Sequence, residues 1–240
     1  MEIKHTDDIK CKYAHILIYG ESGVGKTRLI STAPKPIVLS AEGGLLSLKR
    51  YNIPYIEIKS DEDLKQAYKY LSVKNDDYET VVLDSLTEIG EVIFQSEKKK
   101  LLDEAKRKGA KVDQRMAYVT MKERIEGLVR VFKMLPYHIY MIAHSELSET
   151  DGGDRLFYPA LPGAKAKQKM PHFYDEVFAM KCVDGTDSDG KKVKSRYLIT
   201  ANTGNYIAKD RSEELNIIEE EPNLTDLINR MLSTSSKENL

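Results

Sequence analysis

Residues 20–27 read Gly20-Glu21-Ser22-Gly23-Val24-Gly25-Lys26-Thr27, and the apolar run Ala14–Tyr19 stands directly before them. This is the spelling G-x-x-x-x-G-K-[ST], placed after a strand-like run and before a helical one, and it reads as a phosphate-binding loop. Its glycines let the backbone turn N–H groups toward an anion, and the helix that follows adds the positive end of its dipole. Lys26 is expected to reach the β- and γ-phosphates of a nucleoside triphosphate, while the Thr27 hydroxyl serves Mg²⁺. The expected nucleotide ligands are thus Gly20, Glu21, Ser22, Gly23, Val24, Gly25, Lys26 and Thr27, with Arg28 next to them. A strand, loop and helix in this order belong to an α/β fold.

The partner of such a loop is an acid on a neighbouring strand. Thr80-Val81-Val82-Leu83-Asp84-Ser85 is a short β-branched run ending in Asp84. In a parallel sheet that acid emerges at the carboxyl edge, where it can order Mg²⁺. Alone, the run also reads as a buried strand whose acid caps a helix; downstream of the phosphate loop it reads as a Walker B strand.

Strand-like runs at Ala14–Tyr19, Ile37–Leu39, Tyr55–Ile58, Thr80–Leu83 and His138–Ala143 alternate with helical patterns at Lys26–Ser31, Asp61–Leu71, Leu86–Lys108 and Asp113–Leu135. That alternation predicts a mostly parallel sheet flanked by helices. On the last helix Met116, Val119, Ile125, Leu128, Val131 and Phe132 are expected to form the core face. Ser145–Pro171 reads as a long irregular loop. Asp175–Val183 and Ser195–Thr200 read as an antiparallel hairpin at the sheet edge, extended by Tyr206–Lys209. The expected organisation is one domain, 1–218, followed by an acidic and polar tail, 219–240, partly disordered apart from a short helix at Leu224–Met231.

Composition narrows the function classes. Of 240 residues, 37 are basic and 38 acidic, so global charge gives no argument for a polyanionic partner. With two cysteines, Cys11 and Cys182, no disulfide framework is expected, and the setting reads as reducing and cytoplasmic. No apolar run approaches the roughly 20 residues of a membrane span, so no membrane partner is expected.

Other candidates keep two readings each. Glu42, just after the second strand, is either a base for water attacking the γ-phosphate or a carboxylate serving the Gly43-Gly44 turn. His144, at the end of the fifth strand, either senses the γ-phosphate or is an ordinary satisfied polar residue. Lys209-Asp210-Arg211 is either an exposed charge cluster or a pair of cations, Lys209 and Arg211, stabilising phosphoryl transfer at a neighbouring subunit. Two stretches are locally basic. Glu97–Lys111 reads as a solvated helix surface. In Asp151–His172, Arg155, Lys165, Lys167 and Lys169 are interleaved with Phe157 and Tyr158, which suits single-stranded nucleic acid, with a nucleotide-responsive lid as the other reading.

Together, Gly20–Thr27, the glutamate of Ser40-Ala41-Glu42 and the Asp84-Ser85 pair resemble the RecA family of recombinase ATPases, over approximately residues 10 to 215. The chain also resembles the phage-encoded, core-only members associated with single-strand annealing, whose late Lys-x-Arg element matches Lys209-Asp210-Arg211. The resemblance implies a RecA-like core, ATP with Mg²⁺, and Glu42 as the residue that activates water. It further implies single-stranded DNA, a homo-oligomer as filament or ring with trans contacts at the ATP site, and a single-strand binding protein as a further partner. The location implied for a phage protein is the host cytoplasm. Nothing resembles the terminal domains of full-length recombinases, so annealing or DNA-stimulated hydrolysis is implied rather than strand exchange. His144 stands where family members commonly carry Gln. Two readings from other classes compete: a small-molecule kinase, although no Arg-rich lid is evident, and a DNA-binding scaffold holding ATP as a structural ligand. A GTPase is disfavoured because no Asn-Lys-x-Asp segment occurs.

Overall fold

Alternation along the strands sorts side chains to two faces of one sheet, and both faces are covered. In β1 (His15–Gly20), Leu17 and Tyr19 enter one buried cluster while Ile16 and Ile18 enter the other. The same division separates Val81 and Leu83 from Val82 in β4 (Thr80–Asp84), and Ile139, Met141 and Ala143 from Tyr140 and Ile142 in β5 (His138–Glu149). Apolar residues on both faces require helices on both faces. The computed structural model describes residues 5, 11–109, 114–150, 152–161, 170–186 and 190–233.

Among the described residues the sheet has nine strands, in the order β3-β2-β4-β5-β1-β7-β8-β9, with β6 paired to β5. The remaining strands are β2 (Pro36–Ser40), β3 (Tyr55–Glu57), β6 (Arg155–Ala160), β7 (Glu176–Thr186), β8 (Lys192–Ile199) and β9 (Ile218–Glu220). Strands β1 to β5 pair in parallel, and β1 is central, with β5 on one side and β7 on the other. Helices α2 (Asp61–Ser72), α3 (Leu86–Lys108) and α4 (Gln114–Lys133) contribute Leu64, Ile93 and Met121 to one face. The short α1 (Lys26–Leu29) and α5 (Leu224–Ser233) cover the other with Leu29, Leu227 and Ile228. This is the expected fold class, a mostly parallel α/β sheet of the P-loop NTPase kind with an antiparallel hairpin.

Local chemistry sets the boundaries. Ser60 and Ser85 each cap a helix by accepting from the amide three residues on, Asp63 at 3.2 Å and Glu88 at 3.3 Å. Gly109 ends α3 with φ 62°.

Four expectations change. First, the Ser145–Pro171 loop is for the most part a hairpin: β5 runs on to Glu149 and returns as β6, in register from His144↔Ala160 to Glu149↔Arg155. Second, β7 is internal, because it pairs in parallel with β1; β9 lies beyond β8, and Tyr206–Lys209 makes only isolated bridges. Third, the buried stripe of α4 is Ala117, Met121, Ile125, Leu128, Val129 and Phe132, while Met116 is 52% and Val119 50% exposed. Steps of four residues from Ala117 define that stripe better than the ones from Met116. Fourth, the segment expected as a tail from 219 holds the middle of β9 and all of α5, with Leu224, Leu227, Ile228 and Met231 buried. Helical spacing of apolar residues outweighs the polar composition around them. Residues 234–240 lie outside the described ones. No helix among the described residues is long and apolar enough to cross a membrane, and Cys11 and Cys182 are both free.

Candidate nucleotide site

Parallel strands bring their carboxyl ends to one edge, and the site forms there. Register places Gly20 beside His144 and Ser40 beside Asp84. Two glycines of the phosphate loop are required by close approach. A Cβ on Gly20 would lie 2.6 Å from the Met180 carbonyl oxygen, and one on Gly25 would lie 2.5 Å from Arg196 Nε. Gly25 also has φ 110°, and Gly23 φ 80°, in the left-handed region.

Lys26 is 8% exposed, and its Nζ donates to the carbonyls of Gly20 at 2.7 Å and Glu21 at 2.8 Å. Burial pushes its pKa down, against the pull of the Glu42, Asp84 and Glu21 carboxylates. On the other side of the helix start, Thr27 Oγ1 donates to Asp84 Oδ2 at 2.9 Å. Asp84 is 2% exposed, and burial above all, with Glu42 adding to it, pushes its carboxyl up to about 6. Thr27, Lys26 and His144 oppose that rise. Asp84 Oδ1 and the neighbouring Ser40 Oγ are buried without a hydrogen-bond partner among the described residues. An orphaned carboxylate oxygen next to a threonine hydroxyl is a hard-oxygen donor set that fits Mg²⁺. The Asp84–Ser85 peptide is cis.

The chain leaving β2 is pinned to the same acid. Ala41 N and Glu42 N donate to the Asp84 carbonyl at 2.9 and 3.4 Å, which sets Glu42 opposite the loop. Glu42 Oε2 lies 3.4 Å from His144 Nε2. His144 is fixed in turn through its backbone N–H, which donates at 3.0 Å to Thr87 Oγ1; that hydroxyl donates at 2.8 Å to the Ala160 carbonyl. Lys26, Thr27, Arg28, Glu42, Asp84 and His144 all face one cavity of about 360 Å³. So lysine, acid, carboxylate and imidazole meet at one cavity. Of the remaining loop residues, Ser22, Gly23 and Gly25 line the cavity. Glu21 lies 3.7 Å from Lys181 Nζ.

Lys209 and Arg211 lie elsewhere. Lys209 exchanges backbone hydrogen bonds with Val177, which is level with Leu17 in β1, several residues before the phosphate loop. Arg211 Nη1 donates at 3.0 Å to Asp175, a carboxylate held well below its usual range by His15 first and Lys133 second. Both cations therefore sit toward the amino edge of β1 and do not line this chain's own cavity. Lys165, Lys167 and Lys169 fall outside the described residues, while Arg155 is exposed at the start of β6. The two aromatics expected as stacking faces for bases are occupied within the fold. Phe157 stacks on Tyr206 at 4.8 Å with Lys181 close by, and Tyr158 is 8% exposed.

Arg196 escaped the sequence reading. From β8 it crosses the phosphate loop, its Nε donating to the Val24 carbonyl at 3.1 Å. An arginine on a hairpin strand carries no local signal of that reach.

Among curated proteins none matches this chain. Among solved structures, the X-ray structure of the Legionella pneumophila ATPase DotB is similar at TM-score 0.34 and 10% identity. The match covers 95% of this chain and 53% of that one, so the chain spans about half the length of that ATPase. The family model described as an AAA domain matches residues 12–212, from just before β1 to just past Arg211. With the phosphate loop, Asp84 and most of the chain inside that match, the chain belongs to the AAA domain family of P-loop ATPases.

Proposed function

We propose that the chain is a Mg²⁺-dependent ATPase that works on single-stranded DNA as a homo-oligomer in the cytoplasm, promoting annealing or recombination. The observation that carries this reading is the Glu42–His144 contact at 3.4 Å, facing Lys26 across the cavity. A carboxylate there takes a proton from water as the water oxygen bonds to the γ-phosphorus. The bond from the γ-phosphorus to the bridging oxygen breaks, giving ADP and inorganic phosphate, while Lys26 and the loop amides hold the phosphate charge. Mg²⁺, held by Thr27 and by Asp84, supplies further charge neutralisation when bound.

The DNA part rests on position and resemblance. His144 stands where β5 leaves the parallel sheet and enters the hairpin with β6, whose chain continues toward Lys165, Lys167 and Lys169. A shift of the Glu42–His144 pair on nucleotide binding is carried along β5 into its hairpin with β6. The amino-edge position of Lys209 and Arg211 suits service to a neighbouring copy's site rather than their own.

ATP turnover measured with and without single-stranded DNA, at low and moderate salt, tests the reading. The expected result is turnover that needs Mg²⁺ and rises several-fold with DNA. Equal rates with and without DNA would remove the DNA partner, and no turnover in either condition would leave ATP as a structural ligand only.

A further inference from the structure

Two cavities meet at the phosphate loop. The first, of about 360 Å³, holds Lys26, Glu42 and Asp84, the γ-phosphate end of the site. The second, of about 190 Å³, runs along the outer side of α1 past Leu29 and Ser31 toward Tyr51 and Glu221. Both are lined by Gly25, Arg28 and Arg196, which therefore mark their junction. A triphosphate whose γ end lies between Lys26 and Glu42 must leave the first cavity by its α-phosphate end. We propose that Arg196 is a nucleotide-binding residue whose guanidinium contacts the α-phosphate at this junction, on the side of the loop away from Glu42.

The local chemistry supports a phosphate contact over a plain strut. Nε–H alone satisfies the Val24 carbonyl at 3.1 Å, leaving the other guanidinium N–H groups for a ligand. Among the described residues the guanidinium forms no ion pair; its own main chain is tied to Glu221, whose Oε1 accepts from Arg196 N at 3.1 Å and whose N–H donates to the Arg196 carbonyl at 2.8 Å. A planar, permanently charged fork with no carboxylate partner among the described residues, set against a loop of amides that turn toward an anion, is suited to phosphate. Gly25 gains a second role here, since any side chain at that position would collide with the arginine stem at 2.5 to 2.9 Å.

The inference rests on triphosphate binding and is independent of DNA. The test compares Arg196→Lys, Arg196→Gln and Arg196→Met in the full chain, by titrating ATP and ADP with Mg²⁺ and without DNA. Lysine keeps the charge and loses the Nε bond; glutamine keeps a neutral N–H for the Val24 carbonyl and loses the charge. The expected result is that Arg196→Gln and Arg196→Met weaken ATP and ADP by similar factors, roughly tenfold to a hundredfold. Arg196→Lys should stay within a few-fold of the parent. Retention of affinity by Arg196→Gln would overturn the proposal in favour of a strut, as would an Arg196→Lys variant as weak as Arg196→Gln. A loss confined to ATP would overturn the α-phosphate assignment. Urea midpoints confirm that the variants fold, and should Arg196→Met fail to fold, the Lys and Gln pair alone decides. A failure of DNA to stimulate turnover in the parent would remove the DNA partner and leave these affinities untouched.

Discussion

Lys26→Ala is expected to abolish productive ATP binding, because no other ammonium among the described residues lines the cavity beside the loop amides. Calorimetric titration of the folded variant checks it, and near-parent affinity would sink the assignment. Glu42→Gln is expected to keep ATP binding while turnover falls by roughly 10²-fold or more. Equal losses of binding and turnover would make Glu42 structural. A third residue gives a pH signature. Glu176, at the start of β7, is 4% exposed, and burial first, Asp210 second, push its carboxyl from 4.5 up to about 8. The folded chain thus holds that proton more tightly than the unfolded chain. Its contribution is fully present below about pH 4.5 and is lost as pH rises through about 8. Glu176→Gln is neutral at every pH, so its thermal midpoint should decline less than the parent's between about pH 5 and 8. Parallel profiles would contradict this. At this scale Gly20–Thr27 was legible because backbone wrapping and charge leave few alternatives to Gly, Lys and Thr. The orphaned Ser40 hydroxyl and the Arg196 crossing were not, because each depends on which strand lies next to which.

The elements show where composition misleads. Leu227→Ala should destabilise the chain by about 2 to 4 kcal/mol, since Leu227 is 2% exposed in the cluster between α5 and the sheet. Chemical denaturation checks it, and a change under about 0.5 kcal/mol would mean that α5 is not part of the cooperative core. The helix was readable from Leu224, Leu227, Ile228 and Met231, yet its polar surroundings made the segment read as a tail. The hairpin of β5 and β6 hid for another reason. Ser145, Glu146, Ser148 and Glu149 offer little β-propensity of their own, and pairing with Leu156, Phe157 and Tyr158 is what extends the strand. By contrast, the parallel core strands are apolar on both faces, and their pattern stands out in the bare sequence.

For the molecule as a whole, the lysines after β6 separate an ATPase that acts on DNA from one with a lid. Replacing Lys165, Lys167 and Lys169 together by Ala should weaken single-strand binding and flatten its salt dependence by about 0.7 log units per lost phosphate contact. ATP binding without DNA should survive; an unchanged salt slope would move the DNA site to the basic surface at Lys98–Lys111. The topology has a further consequence, in the order in which the protein can come into being. β1 carries the phosphate loop, and its Ile16 pairs with Tyr140 on one side and Glu176 on the other. Both neighbours come much later in the chain, so β1 leaves the ribosome well before either can pair with it. Partnerships so distant along the chain slow folding and leave His15–Gly20, apolar and unpaired, exposed to aggregation meanwhile. A nascent chain stopped before β7 has a complete phosphate-loop sequence without the strand whose Met180 carbonyl packs against Gly20. Nucleotide can therefore mark a chain in which β7 has joined β1, and its presence during refolding should raise the yield of soluble protein by drawing the population toward the state that binds it.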